Sequence, residues 1–329
     1  MTRNREIFFV LFVLCFFAMP ILLFSQDTSY VKSPVYKDNV RITSGVVTQH
    51  IDLISTANGK DVANSVLVPN VSDNLRVGFT WHFLSLGYTT HVPNLYFSKE
   101  KFGTTKYNDF NMNFYGKWFG CEMFYRNYQG LFSPNSNYTS SIIRPDVSFL
   151  HTGMTLIFIG NSKHFSYRSA FCQNRIQKKS AGGFILMAEC SYRQLKGDTS
   201  IIAPNLNYVH YYDDFRSLKG VGFTSLLLRP GYAYNFVFKG GKFYICPLLT
   251  FSGGVSIYNI ATDFTSKYML GLHTDITFRV TGGYESGKRF FANLAYNSDV
   301  NTNYFSKTVL LNHTTFNILF TLGFRFGKR

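Results

Sequence analysis

From about Leu75 to its end the chain keeps alternating between apolar and polar residues. Leu75, Val77, Phe79 and Trp81 interleave with Arg76, Gly78 and Thr80, and Phe119, Cys121, Met123 and Tyr125 with Gly120, Glu122 and Arg126. Leu270, Leu272, Ile276 and Phe278 interleave with Gly271, His273, Asp275, Thr277 and Arg279. Near the end Phe316, Ile318, Phe320, Leu322, Phe324 and Phe326 interleave with Asn317, Leu319, Thr321, Gly323 and Arg325. Period two is the signature of extended chain with one face wet and one face buried, and no window shows a helical period of comparable strength.

The apolar face could look into a protein core or into lipid. Aromatic residues make up 18% of the chain, with 35 Phe and 22 Tyr, yet the mean hydropathy is only -0.02. Alternating strands with rings turned to lipid give both values at once. After Gln26 no stretch is long and apolar enough for a transmembrane helix; Val221–Phe243, for example, is interrupted by Arg229, Asn235 and Lys239. The connections also sort by length. Short ones are expected at Trp81–Leu84, Gly116–Trp118, Gly160–His164, Lys239–Lys242 and Ser286–Lys288, and long ones at Pro93–Thr104, Gln129–Arg144, Asn174–Gly182, Tyr258–Lys267 and Asn301–Lys307.

In lipid an open sheet edge would leave unpaired N–H and C=O groups, so the sheet must close on itself. The expected fold is therefore all-β, an antiparallel transmembrane β-barrel of about 12–14 strands with short periplasmic turns and longer extracellular loops. The barrel is expected over residues 40–329, with 26–39 as a periplasmic lead-in. "VRITSGVVTQHIDLI" at 40–54 reads as the first strand, and Lys196–Lys219 reads either as one strand or as a structured loop.

The first residues set the compartment. Arg3 and Arg5 precede the apolar run Ile7–Phe24, and Ser25 begins a polar stretch, the layout of a secretory signal peptide over residues 1–25. An uncleaved anchor is the rival reading; Pro20 and Ser25 favour cleavage, and Cys15 lies too deep in the apolar run for a lipoprotein site. The expected destination is the outer membrane. Without residues 1–25 the formal charge falls from +15 to +14, since two Arg and one Glu are lost. A soluble protein this basic would suggest nucleic acid; for an exported barrel the expected partners are outer-membrane lipid, lipopolysaccharide and small solutes, with no nucleic acid. Cys121, Cys172, Cys190 and Cys246 stand singly, so neither a metal site nor a disulfide framework is expected.

Several stretches carry a family resemblance: "LVPNVSDNLRVGFTWHFLSLGYTTHVP", "GTTKYNDFNMNFYGKWFGCEMFYRNYQGLF", "RPDVSFL", "HFSYRSAFCQNRIQKKSAGGF" and "LLLRPGYAYNFVFKGGKFYICPLL". Together they resemble an uncharacterised family of outer-membrane barrel proteins from Bacteroidota-type bacteria, catalogued only as a domain of unknown function. The resemblance implies an outer-membrane location and a barrel. It brings no activity, substrate or site.

Turning the polar parity of each strand inward gives lumen candidates Arg76, Asp109, Glu122, Arg126, His151, Arg168, Glu189, Arg229, His273, Asp275, Arg279, His313 and Arg325. Two readings fit them. Acids and bases can pair across strands and fill the interior, or the excess of Arg can form a constriction that selects anions. Phe291, Leu227, Tyr244 and Leu319 share the inward parity and lean towards a filled lumen. "NRIQKKSAGG" places Arg175, Lys178 and Lys179 in an expected surface loop, either a clamp for lipopolysaccharide phosphates or a solvated tip. Trp81, Trp118, Tyr115, Phe236 and Phe243 lie beside short turns, as an interfacial girdle requires. "KGGK" at Lys239–Lys242 reads as a tight hairpin turn.

No catalytic residue and no cofactor is expected. His273 next to Thr274 and His313 next to Thr314 point to opposite faces of their strands. His273 with Asp275 and His313 with Thr315 do share a face, but no oxyanion hole accompanies them. Two functions remain: a pore or transport barrel for small anionic solutes, and a non-conducting structural or interaction barrel whose surface loops bind lipopolysaccharide or a protein partner.

Overall fold

The computed structural model describes residues 26–328 apart from 58–59, 72, 92–97, 136–137, 203–211, 213–214, 263–265, 305 and 307. The leader expected over residues 1–25 lies outside the described residues, as does the middle of 196–219.

A short strand β1 (Val31–Lys32) is followed by β2 (Tyr36–Ala57), β3 (Lys60–Pro69), β4 (Asp73–Trp81), β5 (Leu84–His91), β6 (Lys106–Tyr115), β7 (Phe119–Pro134) and β8 (Ser141–Ile159). Then come β9 (Ile176–Gln177), β10 (Ala181–Lys196), β11 (Leu218–Phe238), β12 (Phe243–Thr262), β13 (Ser266–Glu285), β14 (Phe290–Tyr304) and β15 (Val309–Lys328). Two single-turn helices, α1 (Lys99–Phe102) and α2 (Tyr167–Phe171), lie in connections.

The wall is an antiparallel ring of β2, β4–β8 and β10–β15, twelve strands in all, closed where β15 pairs with β2 from Val309↔Ser55 to Lys328↔Tyr36. Closure pairs the first wall strand with the last, which is what lipid demands. Only the lower half of β2, Asn39–Val46, pairs with β4. Its upper half, Ile51–Ala57, pairs with β3, whose foot reaches β7 through Val68↔Phe132 and Pro69↔Leu131. Above the short β5–β6 hairpin, β3 thus bridges directly from β2 to β7. With β3 replacing β4, β5 and β6, the ring has ten strands there, and the barrel narrows towards its loop end.

Three connections expected to be long are shorter, because the strands run on into them: only residues 135–140 separate β7 from β8, 263–265 separate β12 from β13, and 305–308 separate β14 from β15. The turns after β4, β6, β11 and β13, together with both ends of the described chain, lie at one rim, here the turn end; the connections after β5, β7, β10, β12 and β14 lie at the loop end. In the turn after β11, Gly240 and Gly241 take φ of 65° and 96°, a region only glycine enters without strain. "KGGK" is a turn because of them.

The outward parity is apolar all round. Leu270 and Leu272 are 73% and 66% exposed, and Leu228, Phe251, Ile257, Leu294, Ile318 and Leu322 stand out likewise. A belt this continuous is the lipid-facing surface of a transmembrane barrel. Inside, the buried residues fall into an apolar cluster near the loop end, a second cluster near the turn end and polar layers between them.

Candidate functional site

The lumen is where the wall strands bring their polar parity together, and the chain itself fills both of its ends. At the turn end the connection between β8 and β10, residues 160–180, folds up into the barrel instead of turning tightly. The carbonyl of Asn161 accepts the N–H groups of His164 and Phe165, which reverses the chain into α2. Phe165, Tyr167, Ala170 and Cys172 are buried in this plug.

Wall side chains then fasten it. Arg325, with no exposed surface, forks onto the Glu285 carboxylate at 2.5 and 2.6 Å and also donates to the Gln173 carbonyl at 2.6 and 3.2 Å. Arg41 donates to the Cys172 carbonyl at 3.2 Å and to Ser85 Oγ at 2.6 Å. Arg168, on the plug, donates outward to the His82 carbonyl at 3.3 Å, and Asn235 donates to Ser169 Oγ at 3.1 Å. Such charge-assisted bonds each contribute about 1.5–3 kcal/mol. The N-terminal segment covers the plug from outside: β1 pairs with β9, Lys178 N–H donates to the Tyr30 carbonyl at 2.7 Å, and Asp27 N–H to the Lys163 carbonyl at 3.0 Å.

Above the plug lies a chamber of about 290 Å³, lined by Arg41, Arg76, Arg126 and Arg279, by Asp109, Glu122 and Asp299, and by many amides and hydroxyls. Asp109 sits 3.1 Å from Arg76, 3.6 Å from Arg126 and 2.9 Å from the Tyr107 hydroxyl. Glu122 accepts Tyr115 OH at 2.6 Å and Tyr167 OH at 3.2 Å, and faces Arg279 at 3.9 Å. Across the lumen the charges are packed without space between them. Arg229 lies 2.8 Å from Glu189 and 3.3 Å from Asp275, and Arg193 lies 3.9 Å from Glu189 and donates to His151 Nε2 at 3.0 Å.

One buried group has the distances of a hydrolase relay. His273 Nδ1 lies 3.1 Å from Ser225 Oγ and 3.3 Å from Ser256 Oγ, and its Nε2 lies 3.1 Å from Asn301 Oδ1. Ser225, Ser256 and His273 have no exposed surface, and the chamber does not reach them. A nucleophile needs room for the carbonyl it attacks; here the hydrogen bonds fill the lumen. His313 bonds Gln49 Nε2 at 2.8 Å and stands 3.4 Å from Thr315, again as part of the chamber wall.

The loop end is closed differently. Ile201, Ile202, Tyr212 and Leu218, from the connection after β10 and the head of β11, pack with Ile51, Leu53, Leu67, Tyr128, Phe149, Phe223, Tyr258 and Leu311. Directional contacts are added: Tyr212 OH donates to the Leu53 carbonyl at 2.7 Å, Arg144 to Thr199 Oγ1 at 3.2 Å and the Ile201 N–H to the Leu218 carbonyl at 2.7 Å.

A family model described as a domain of unknown function (DUF4421) matches residues 25–326. The chain belongs to that family. No curated protein matches it in sequence. Among solved structures it is similar to the translocator domain of the autotransporter NalP from Neisseria meningitidis, at 13% identity and a TM-score of 0.34 over 88% of each chain. Two further similar structures are the attachment invasion locus protein Ail of Yersinia pestis with the heparin analogue sucrose octasulfate (7% identity, TM-score 0.20, 87% of this chain and 99% of that one) and the P. putida toluene transporter TodX (9% identity, TM-score 0.20, 89% and 91%). These likenesses are too distant to carry a role across.

The expected lumen residues separate into three places. Arg76, Asp109, Glu122, Arg126 and Arg279 line the chamber, and Arg229, His273 and Asp275 belong to the packed side. Arg325 holds the plug, and Arg168 is part of the plug itself, not of a wall strand. The expected position of the basic surface segment is corrected. Arg175, Lys178 and Lys179 lie at the turn end, where Arg175 bonds Ser33 Oγ, Lys178 Nζ donates to the Thr28 carbonyl at 3.3 Å and Lys179 lies over the Tyr30 ring at 5.1 Å. Residues 165–173 do not form a crossing strand, so the segment after them never reaches the loop end. Tyr115 is corrected too: it faces the chamber and not the girdle.

Arg41, Arg193 and Asp299 complete the polar lumen. Arg193 shares the parity of Glu189, and Asp299 that of Asn301, so the signal for both is in the alternation; Arg41 lies where the alternation of β2 is weak.

Proposed function

We propose that the protein is an outer-membrane barrel, exported by its leader over residues 1–25, that does not act as an open pore. The observation that carries this reading is the double closure of the lumen, by a hydrogen-bonded plug at the turn end and an apolar cluster at the loop end. Its role is then that of a structural or interaction barrel presenting its two ends to partners, and no reaction chemistry is assigned to it. Planar-bilayer recording of the purified full chain tests this: only the lipid baseline is expected, and steady open-channel current overturns it.

A second reading, passage of a small anionic solute, is favoured by the chamber and its four arginines. At about 290 Å³ it is near the lower bound of small-molecule pockets. This reading requires both closures to open, so it predicts current only in protein released at both ends.

A further inference from the structure

At the turn end Arg175, Lys178 and Lys179 stand among further cations. Lys117 lies in the turn after β6, Lys239 and Lys242 in the turn after β11, and Lys288 and Arg289 in the turn after β13. Cations therefore stand on three of the tight turns around the rim, with the basic plug at a fourth position. The acids of this end are engaged elsewhere. Glu285 is held by Arg325, Asp38 accepts the His82 N–H at 2.9 Å, and Asp27 accepts the Ser29 N–H at 2.8 Å beside His164. The loop end is mixed by contrast: Lys60 precedes Asp61, Glu100 separates Lys99 from Lys101, and Arg144 pairs with Asp146 at 2.9 Å.

The rim cations also lie at a defined depth. Lys239 Nζ is 5.7 Å from the centre of the Phe243 ring, and the Arg289 guanidinium is 4.6 Å from Tyr36 and 5.6 Å from Phe324. Phe243 is 42% exposed on the outward face, beside exposed Phe236, Phe238, Tyr284 and Phe290. Aromatic rings of this kind sit at the headgroup level of a bilayer, and long basic side chains lie along apolar surface while keeping the charge in the polar layer. The cations thus stand at the depth of the lipid phosphates.

We infer that this collar is a binding site for anionic phospholipid headgroups in the leaflet facing the turn end, with Lys117, Lys239, Lys242, Lys288 and Arg289 as its phosphate contacts. The chemistry is that of a diffuse anion site, in which each cation near an anionic surface adds a modest, salt-screened attraction.

The test reconstitutes the full chain in bilayers of mixed phosphatidylethanolamine and phosphatidylglycerol, extracts it gently and quantifies the retained lipids by mass spectrometry. Phosphatidylglycerol should be enriched about fivefold over its bulk share, the preference of one well-placed cation. A variant carrying Lys117→Gln, Lys239→Gln, Lys242→Gln, Lys288→Gln and Arg289→Gln should lose the enrichment, and a loop-end variant carrying Lys60→Gln, Lys99→Gln and Lys101→Gln should keep it. Salt at about 0.5 M, where the screening length is only a few Å, should erase it in the unaltered protein; this arm decides the matter alone if the collar variant does not fold. Absence of enrichment, enrichment indifferent to salt, or enrichment that survives in a folded collar variant overturns the proposal.

Discussion

The two ends of the lumen are both stopped by the chain, each around a buried apolar cluster, but the turn end adds charge-assisted arginine bonds between plug and wall. At the turn end the plug is also held by directional bonds from single arginines: Arg325 on Gln173, Arg41 on Cys172, Arg168 on His82. At the loop end the closure is mainly a cluster of aliphatic and aromatic side chains, with Tyr212 bonded to the Leu53 carbonyl and Thr199 to Arg144 at its edge. A buried charge is costly once its partner is gone, so each residue of the first closure acts almost as a switch. Burial of apolar area is non-directional and shared by many contacts, so the second closure yields gradually. A barrel built this way has one end that a single substitution can loosen sharply and one end that loosens by degrees.

The largest expected effect tests whether the closures act in series. Replacing Tyr167–Gln173 by a Gly/Ser linker of equal length removes the plug, and deleting residues 199–216 removes the loop-end contribution. Each single change should leave planar bilayers at the lipid baseline, and the double change should give stepwise channel current. Current through either single variant would show that the opposite end is not a seal.

Arg325 is the sharpest probe of the polar end. Arg325→Met leaves the Glu285 carboxylate buried without its forked partner and should cost about 3–5 kcal/mol in urea unfolding from lipid vesicles. Adding Glu285→Leu removes the orphaned charge and should recover most of that loss while leaving the plug untied. Cys172 reports the plug separately. Burial pushes its thiol up to about 12, so at neutral pH it is protonated and a poor nucleophile. With Cys121, Cys190 and Cys246 replaced by Ser, maleimide should label Cys172 faster in both Arg325 variants than in their parent. Equal labelling would mean that Arg325 stabilises the wall without holding the plug.

The same contrast explains what could be read in the sequence. The wall was legible because each wall strand has lipid on one side and polar lumen on the other, and that difference imprints period two on Leu270–Arg279 or Phe316–Phe326. The plug has wall on every side. Phe165, Tyr167 and Phe171 share one parity with Ser169, while Ser166, Arg168, Ala170 and Cys172 hold the other, so Phe165–Gln173 imitates a strand without being one. Residues 198–215 offered a second imitation. Counted as wall, these two segments raise the strand number from twelve to fourteen; their buried residues, such as Tyr167, Ile201 and Tyr212, pack inside the ring instead. Counting 165–173 as a crossing also carries Arg175, Lys178 and Lys179 to the wrong end. Polar parity did mark Arg76, Asp109, Glu122, Arg126 and Arg279 as one set, and they share the chamber. It could not show that Arg325 would be spent on a backbone carbonyl, because that partner, Gln173, lies in a segment whose pattern is that of a strand.

Leu311 gives the complementary measurement at the apolar end. It has no exposed surface, and its neighbours in the cluster come from both the wall and the connection after β10. Leu311→Ala removes buried methyl groups and leaves a cavity that a closed ring can collapse around only in part, so unfolding should become easier by about 2–5 kcal/mol. No charge is orphaned and no plug bond is touched. Cys172 labelling in the cysteine-depleted background should therefore match the parent, although the overall loss can equal that of Arg325→Met. A protein in which Leu311→Ala also quickened Cys172 labelling would have its two closures coupled through the packed charges of Glu189, Arg193 and Arg229, and the distinction between a switchable end and a gradual one would fail.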